Sequence, residues 1–150
     1  MGRKQFIPFG LYEAHGFVSA NLAAETCFSE SDLMRLFEAI LNMYEHDRSA
    51  SKGQMSVISP LIIFKHVGTD SNEAGRARQA KLGCAPAHKL FELVNIALKD
   101  GVETPRSYLD YNCSIDIKNR PAGVQIGFMD DPYGEIKWGE LPPDDGFLKN

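Results

Sequence analysis

The chain has 150 residues, 16 Lys and Arg against 20 Asp and Glu, a formal net charge of −4 and three cysteines. That length buries roughly 70% of its unfolded surface, enough for one core, and the charge balance excludes a diffusing nucleic-acid binder that relies on an overall basic excess. Cys27, Cys84 and Cys113 are odd in number and far apart, which argues against a disulfide framework or a paired-cysteine zinc site.

No apolar run approaches the roughly 20 residues needed to span a bilayer, and the start lacks the charged-then-apolar layout of a signal peptide. The cytoplasm is the expected compartment, with no membrane partner. The charge is uneven. Residues 1–90 hold ten Lys and Arg against nine Asp and Glu, and residues 91–150 hold six against eleven. RNA contact, if any, must use a local stripe of cations.

Residues 6–9 and 11–12 read as an extended segment that Pro8 and Gly10 interrupt, suited to an edge strand or a bulge, and Gly16 to Ser19 continue it. Leu22 to Glu25 form a short helical turn. A long helix is predicted at 30–46, because Leu33, Leu36, Phe37, Ile40, Leu41 and Tyr44 follow the spacing of one buried face. Ser29 is its N-cap, and Asp32 three residues on completes a capping box. Residues 49–53 are a polar linker ended by Gly53.

Leu61 to Phe64 is a continuous apolar run beside Pro60, the pattern of a strand covered on both faces. Residues 67–83, with Gly68, Asp70, Ser71, Asn72 and Gly75 ahead of Arg76, Arg78 and Lys81, read as a mobile basic loop. Pro86 opens a short helix at 86–93. Strands follow at 93–98, 111–117 and 124–128, with Asp100-Gly101 and Pro121-Ala122-Gly123 supplying turns. From Met129 onward prolines, glycines and acids dominate, and Trp138 and Phe147 are its candidate anchors. The division is therefore residues 1–128 and an acidic tail at 129–150. Strands mixed with helices make an α+β unit.

Most chemical motifs are absent. Glu45, His46 and Asp47 have the residue types of a general acid/base set, but neighbours on a helix point about 100° apart and cannot converge. His15, His46, His66 and His88 lack metal-ligand spacing. The run from Asp70 begins like a calcium loop, yet Lys81 stands where the bidentate Glu is required. No Gly-rich phosphate cradle or nucleophile elbow occurs, and no cofactor is expected.

What remains is a set of dispersed cations. Arg3 and Lys4 adjoin Gly2, which lets backbone approach a ligand closely; Arg48 and Lys52 flank the helix end; Lys65 and His66 close the apolar strand; His88 and Lys89 sit at a helix start, where N–H groups favour phosphate. Phe9, Tyr12 and Phe17 are aromatic groups able to stack unpaired bases, although core burial is the expected fate of at least two of them.

Four blocks occur in order: Gly2-Arg3-Lys4, the run from Gly10 to Phe17, Phe64-Lys65-His66, and the run from Ala85 to Phe91. Together they resemble the carboxy-terminal half of the backbone subunit of the type I-C CRISPR Cascade, of the repeat-associated RNA-binding superfamily. The resemblance covers Met1 to about Val124. It implies a partial ferredoxin-like, RNA-recognition-type palm with one long and one short helix against a mainly antiparallel sheet. It also implies a non-enzymatic subunit whose partners are crRNA, other copies of itself, other subunits of the surveillance complex, and target DNA through the guide. The related pattern has a much shorter connection at 67–83, so that segment is a departure. Two alternatives belong to other classes: a metal-independent RNA-processing nuclease centred on His46 and His66, and a structural module without RNA affinity of its own.

Overall fold

The computed structural model describes residues 7, 9–45, 47, 55–140, 142 and 147. It is an α+β arrangement with antiparallel pairing throughout its sheets, in keeping with a partial ferredoxin-like palm.

Two helices come first. Helix α1 spans Ala20–Thr26, with the Ser19 hydroxyl accepting the Leu22 N–H. Helix α2 spans Glu30–Asn42. Its capping box is complete: the Ser29 hydroxyl accepts the Asp32 N–H at 3.2 Å, and the Asp32 carboxylate accepts the Ser29 N–H at 2.9 Å. The helix stops four residues earlier than its apolar spacing predicts, because the Met43 N–H turns to the Ile40 carbonyl and the Glu45 N–H to that of Asn42. These three-residue closures tighten the chain into a turn at 43–45. The apolar stripe continues past the hydrogen bonds that would hold it helical.

The core belongs to a three-stranded sheet in the order β1, β4, β5. Strand β1 (Leu61–His66) runs antiparallel to β4 (Val124–Met129), from Leu61 opposite Met129 to His66 opposite Val124. Val124, Ile126, Phe128 and Met129 are buried, with Leu90, Leu93 and Phe147 packed into the same core. Strand β4 is thus the doubly covered one. The Leu61 to Phe64 run, expected in that place, is only half-buried, and among the described residues β1 pairs with β4 alone.

Strand β5 (Lys137–Trp138) pairs with β4 and sets Trp138 opposite Gly127. A Cβ at Gly127 would stand 2.6 Å from the indole, so glycine is what lets the ring lie on the strand. Trp138 therefore joins the sheet through backbone pairing, and the acidic tail is held here by more than side-chain packing. Strands β2 (Val94–Leu98) and β3 (Tyr111–Ile115) form a separate antiparallel pair. Their connection carries a 3₁₀ turn at Tyr108–Asp110 with its own Ser107 and Asp110 capping box.

Two expectations are overturned. Residues 67–83 are not a mobile loop but contain helix α3, Glu73–Leu82. Asn72 caps it, accepting the Ala74 N–H at 3.1 Å, and Gln79 Oε1 accepts the N–H groups of Thr69 and Asp70 at 2.7 and 3.1 Å. Alanines and long straight side chains supply intrinsic helicity without an apolar stripe, so a reading tuned to hydrophobic periodicity passes over them. Secondly, the described residues from Ile7 to Ser19 make no strand. Ring contacts hold them instead of a ladder. Helix α4 (Ala87–Phe91) is shorter at both ends than the 86–93 segment predicted.

Candidate nucleic-acid interface

The aromatic amino-terminal segment and helix α4 meet. The His15 ring stacks on Phe91 with centroids 3.9 Å apart and planes 3° from parallel, and Phe17 approaches the same ring edge-on at 5.5 Å. His15 Nε2 lies 2.9 Å from Glu13 Oε1, which steadies the imidazole on its other side. Further along, Phe9 tilts against Tyr111 of β3 at 6.4 Å. Three ring contacts, one near residue 9 and two at residues 15 and 17, therefore pin the segment at both ends.

This arrangement leaves aromatic surface uncovered. Tyr12 is 72% exposed and Phe17 75% exposed, whereas Phe9 is half-buried. Core burial for two of the three is thus overturned: in the absence of strand pairing, nothing draws Tyr12 or Phe17 inward. A half-covered ring beside a rigid neighbour is suited to stacking a flat apolar group such as a base.

Among the candidate RNA-binding residues, Gly2, Arg3, Lys4, Arg48 and Lys52 lie outside the described residues, as does His46. Lys65 is exposed on β1, opposite Gln125, with its Nζ 5.4 Å from the Trp138 ring centroid. The indole face gives the ammonium a modest cation–π contact while its head stays in water. His88 and Lys89 are exposed on α4, one turn from the aromatic segment's anchor at Phe91. That helix is only five residues long and its Pro86 cap makes no side-chain hydrogen bond, so both residues sit as close to its last turn as to its first. The helix-start argument for phosphate loses its force there.

His66 takes a different part. Its Nδ1 accepts the Cys84 backbone N–H at 3.0 Å, so the half-buried ring is engaged with the protein. Lys89 also borders an open cavity of about 280 Å³ shared with Glu92, Leu93, Asp116, Asn119 and Pro121. A second cavity of about 220 Å³ is lined by Thr69, Gln79, Gly83, Cys84 and Ala122. Neither has the enclosed apolar lining and converging polar groups of a small-molecule site.

The carboxylates with displaced acidities are structural. The side-chain and backbone hydrogen bonds of Ser29 hold Asp32 below the usual carboxylate range, the N–H groups of Arg106 and Ser107 do so for Asp110, and Asn119 does so for Asp116. Burial, helped by Glu13, pushes the Cys113 thiol up, away from a reactive thiolate. Each serves a cap or a turn.

Sequence reasoning missed two things. The His15–Phe91 stack joins two recognised blocks 76 positions apart, and no local pattern reveals such a contact. Arg76, Arg78 and Lys81 were visible as charges, but their placement on an ordered helix was not. Among the described residues no helix is long and apolar enough to cross a membrane.

No curated protein matches the chain. The family model for CRISPR-associated protein Cas7 does match it, over residues 1–117, which takes in the aromatic segment, α1 to α4 and the β2–β3 pair. The chain accordingly belongs to the CRISPR-associated Cas7 family, whose members serve as backbone subunits of CRISPR surveillance complexes.

Proposed function

We propose that this chain is a non-enzymatic subunit of a cytoplasmic type I-C surveillance complex that binds crRNA along its sugar-phosphate backbone and repeats along it, presenting the guide for pairing with target DNA. The observation that carries this reading is the aromatic segment clamped on Phe91, with Phe17 exposed beside a helix that carries His88 and Lys89 and Tyr12 exposed on the same segment. Cations hold phosphate and rings take up splayed bases, while sequence choice is left to base pairing.

Titration with a fluorescent oligouridine tests it across a range of salt. Binding is expected to be indifferent to base sequence and to weaken steeply with salt. Replacing Lys65 or Lys89 by Ala should lower the slope of log affinity against log salt by about 0.7 per lost phosphate contact. Phe17→Ala should weaken binding by about 1–3 kcal/mol while leaving the slope alone. Unchanged slopes in both lysine variants would remove them from the interface.

The expected partners include further copies of the chain. Leu22 is 62% exposed and Leu36 41% exposed, and such apolar faces favour cover. Sedimentation at rising concentration checks this, with a monomer at all concentrations as the contrary result.

A further inference from the structure

Helix α3 is an excursion that begins and ends at one side chain. The chain leaves the sheet after His66, where Val67 and Gly68 donate to the Gly123 carbonyl at 2.8 and 3.2 Å. It forms α3 and returns at Cys84, whose N–H donates to His66 Nδ1. At the turn itself Gly83 has φ 92°, a left-handed value that breaks the helix and aims the next N–H back at the strand. The Cys84 thiol adds only a long contact to the Gln79 carbonyl, 3.8 Å.

An Nδ1 that accepts an N–H carries no proton, so the ring is the Nε2–H tautomer while this bond stands. Protonation would set one N–H donor against another. The neighbouring groups do little to compensate. On β1, Lys65 lies toward Trp138; on β4, the residues facing the strand end are Val124 and Gln125; the returning turn brings the Cys84 thiol. Among the charged groups of the excursion, Asp70 accepts the Asn72 N–H, and Glu73, Arg76, Arg78 and Lys81 make no hydrogen bond to the ring among the described residues. Among the described residues no carboxylate is bonded to it to hold an imidazolium.

We infer that His66 is a proton-sensitive latch: its neutral ring ties the Gly83–Cys84 turn to the end of β1, and protonation at Nδ1 releases that turn. The turn leads directly into α4, so the latch governs the seating of His88, Lys89 and the Phe91 platform. Its bearing on RNA rests on the function proposed above. The latch itself does not.

The test is nuclear magnetic resonance on the full chain, without RNA. Ring nitrogen shifts should report the Nε2–H tautomer at neutral pH. The protection factor of the Cys84 amide, corrected for intrinsic exchange, should fall about tenfold as His66 takes up its proton, the size of one net hydrogen bond. The amides of Phe64 and Ile126 in the β1–β4 ladder should keep theirs. His66→Gln retains an acceptor without a titrating ring, and its Cys84 protection should be flat with pH. An Nδ1–H tautomer in the unaltered chain, or Cys84 protection that does not follow His66 titration, overturns the latch. So does a pH dependence that survives in His66→Gln.

Discussion

The amino-terminal region, residues 9–45, and the β1–β4–β5 region are built on opposite principles. In the first, α1 and α2 have complete local equipment: caps at Ser19 and Ser29, a capping box, and in α2 an apolar stripe. Neither helix has a buried residue. In the second, β5 has two residues and β1 is half-buried, yet β4 between them holds four of the seven buried hydrophobic residues among the described ones. Local signals can specify a helix without supplying anything to pack it on, whereas a strand with modest local signals becomes the core when two neighbours cover it.

The sharpest way to break this comparison is a pair of truncations. Phe128→Ala should cost about 3–5 kcal/mol, because it empties a site in the core of β4. Leu36→Ala on the α2 stripe should cost less than about 1 kcal/mol. Chemical denaturation of both variants decides, and equal losses would mean that the stripe is covered in solution.

Gly127→Val should come next. Its side chain meets the Trp138 indole, and the resulting overpacking costs about 1–3 kcal/mol and loosens β5. Loss of amide protection at Trp138 with protection retained at Phe64 would locate the damage. Protection retained at both would show that the sheet adjusts without cost.

Ser29→Ala removes a reciprocal cap and should cost about 1 kcal/mol, seen as loss of helical circular dichroism at fixed temperature. Because α2 buries nothing, this loss should fray the helix and leave the melting of the sheet unchanged. A common shift in both would show that the two regions are coupled.

The smallest effect is with pH. Asp32 is held below its ordinary value of 3.8 by Ser29, so folding binds fewer protons at that carboxyl than the unfolded chain does. Its stabilisation is present above 3.8 and is lost as the pH falls through the folded value. Helical signal from α2 should therefore decline below 3.8 in the unaltered chain and be flatter in Asp32→Asn. The same profile in both would assign the decline to other carboxylates, of which Asp110 and Asp116 are similarly held.

Some of the candidate site was legible in advance. Phe17, His88 and Lys89 stand out by residue type and neighbourhood, and Phe17 packs edge-on against Phe91 of the helix that carries His88 and Lys89. His66 was read as a cation at a strand end. The structure engages it with Cys84, 18 positions away, because the intervening segment folds as a helix and returns. A backbone donor has no signature in the side-chain alphabet, so this partner was not readable.

By itself the sequence determined what depends on near neighbours. The Ser29–Asp32 capping box, the helix that follows it and the runs that become β1, β2, β3 and β4 all rest on interactions spanning a few residues, and each was readable within a residue or two at one end or both. Only the tertiary structure decided which strand is central, that Trp138 adds a third strand across Gly127, that the described residues before α1 join no strand, and that His15 lies on Phe91. Those outcomes depend on burial and pairing between residues far apart in the chain, where the free energy comes from surfaces that meet and local propensity says nothing about which surfaces they are.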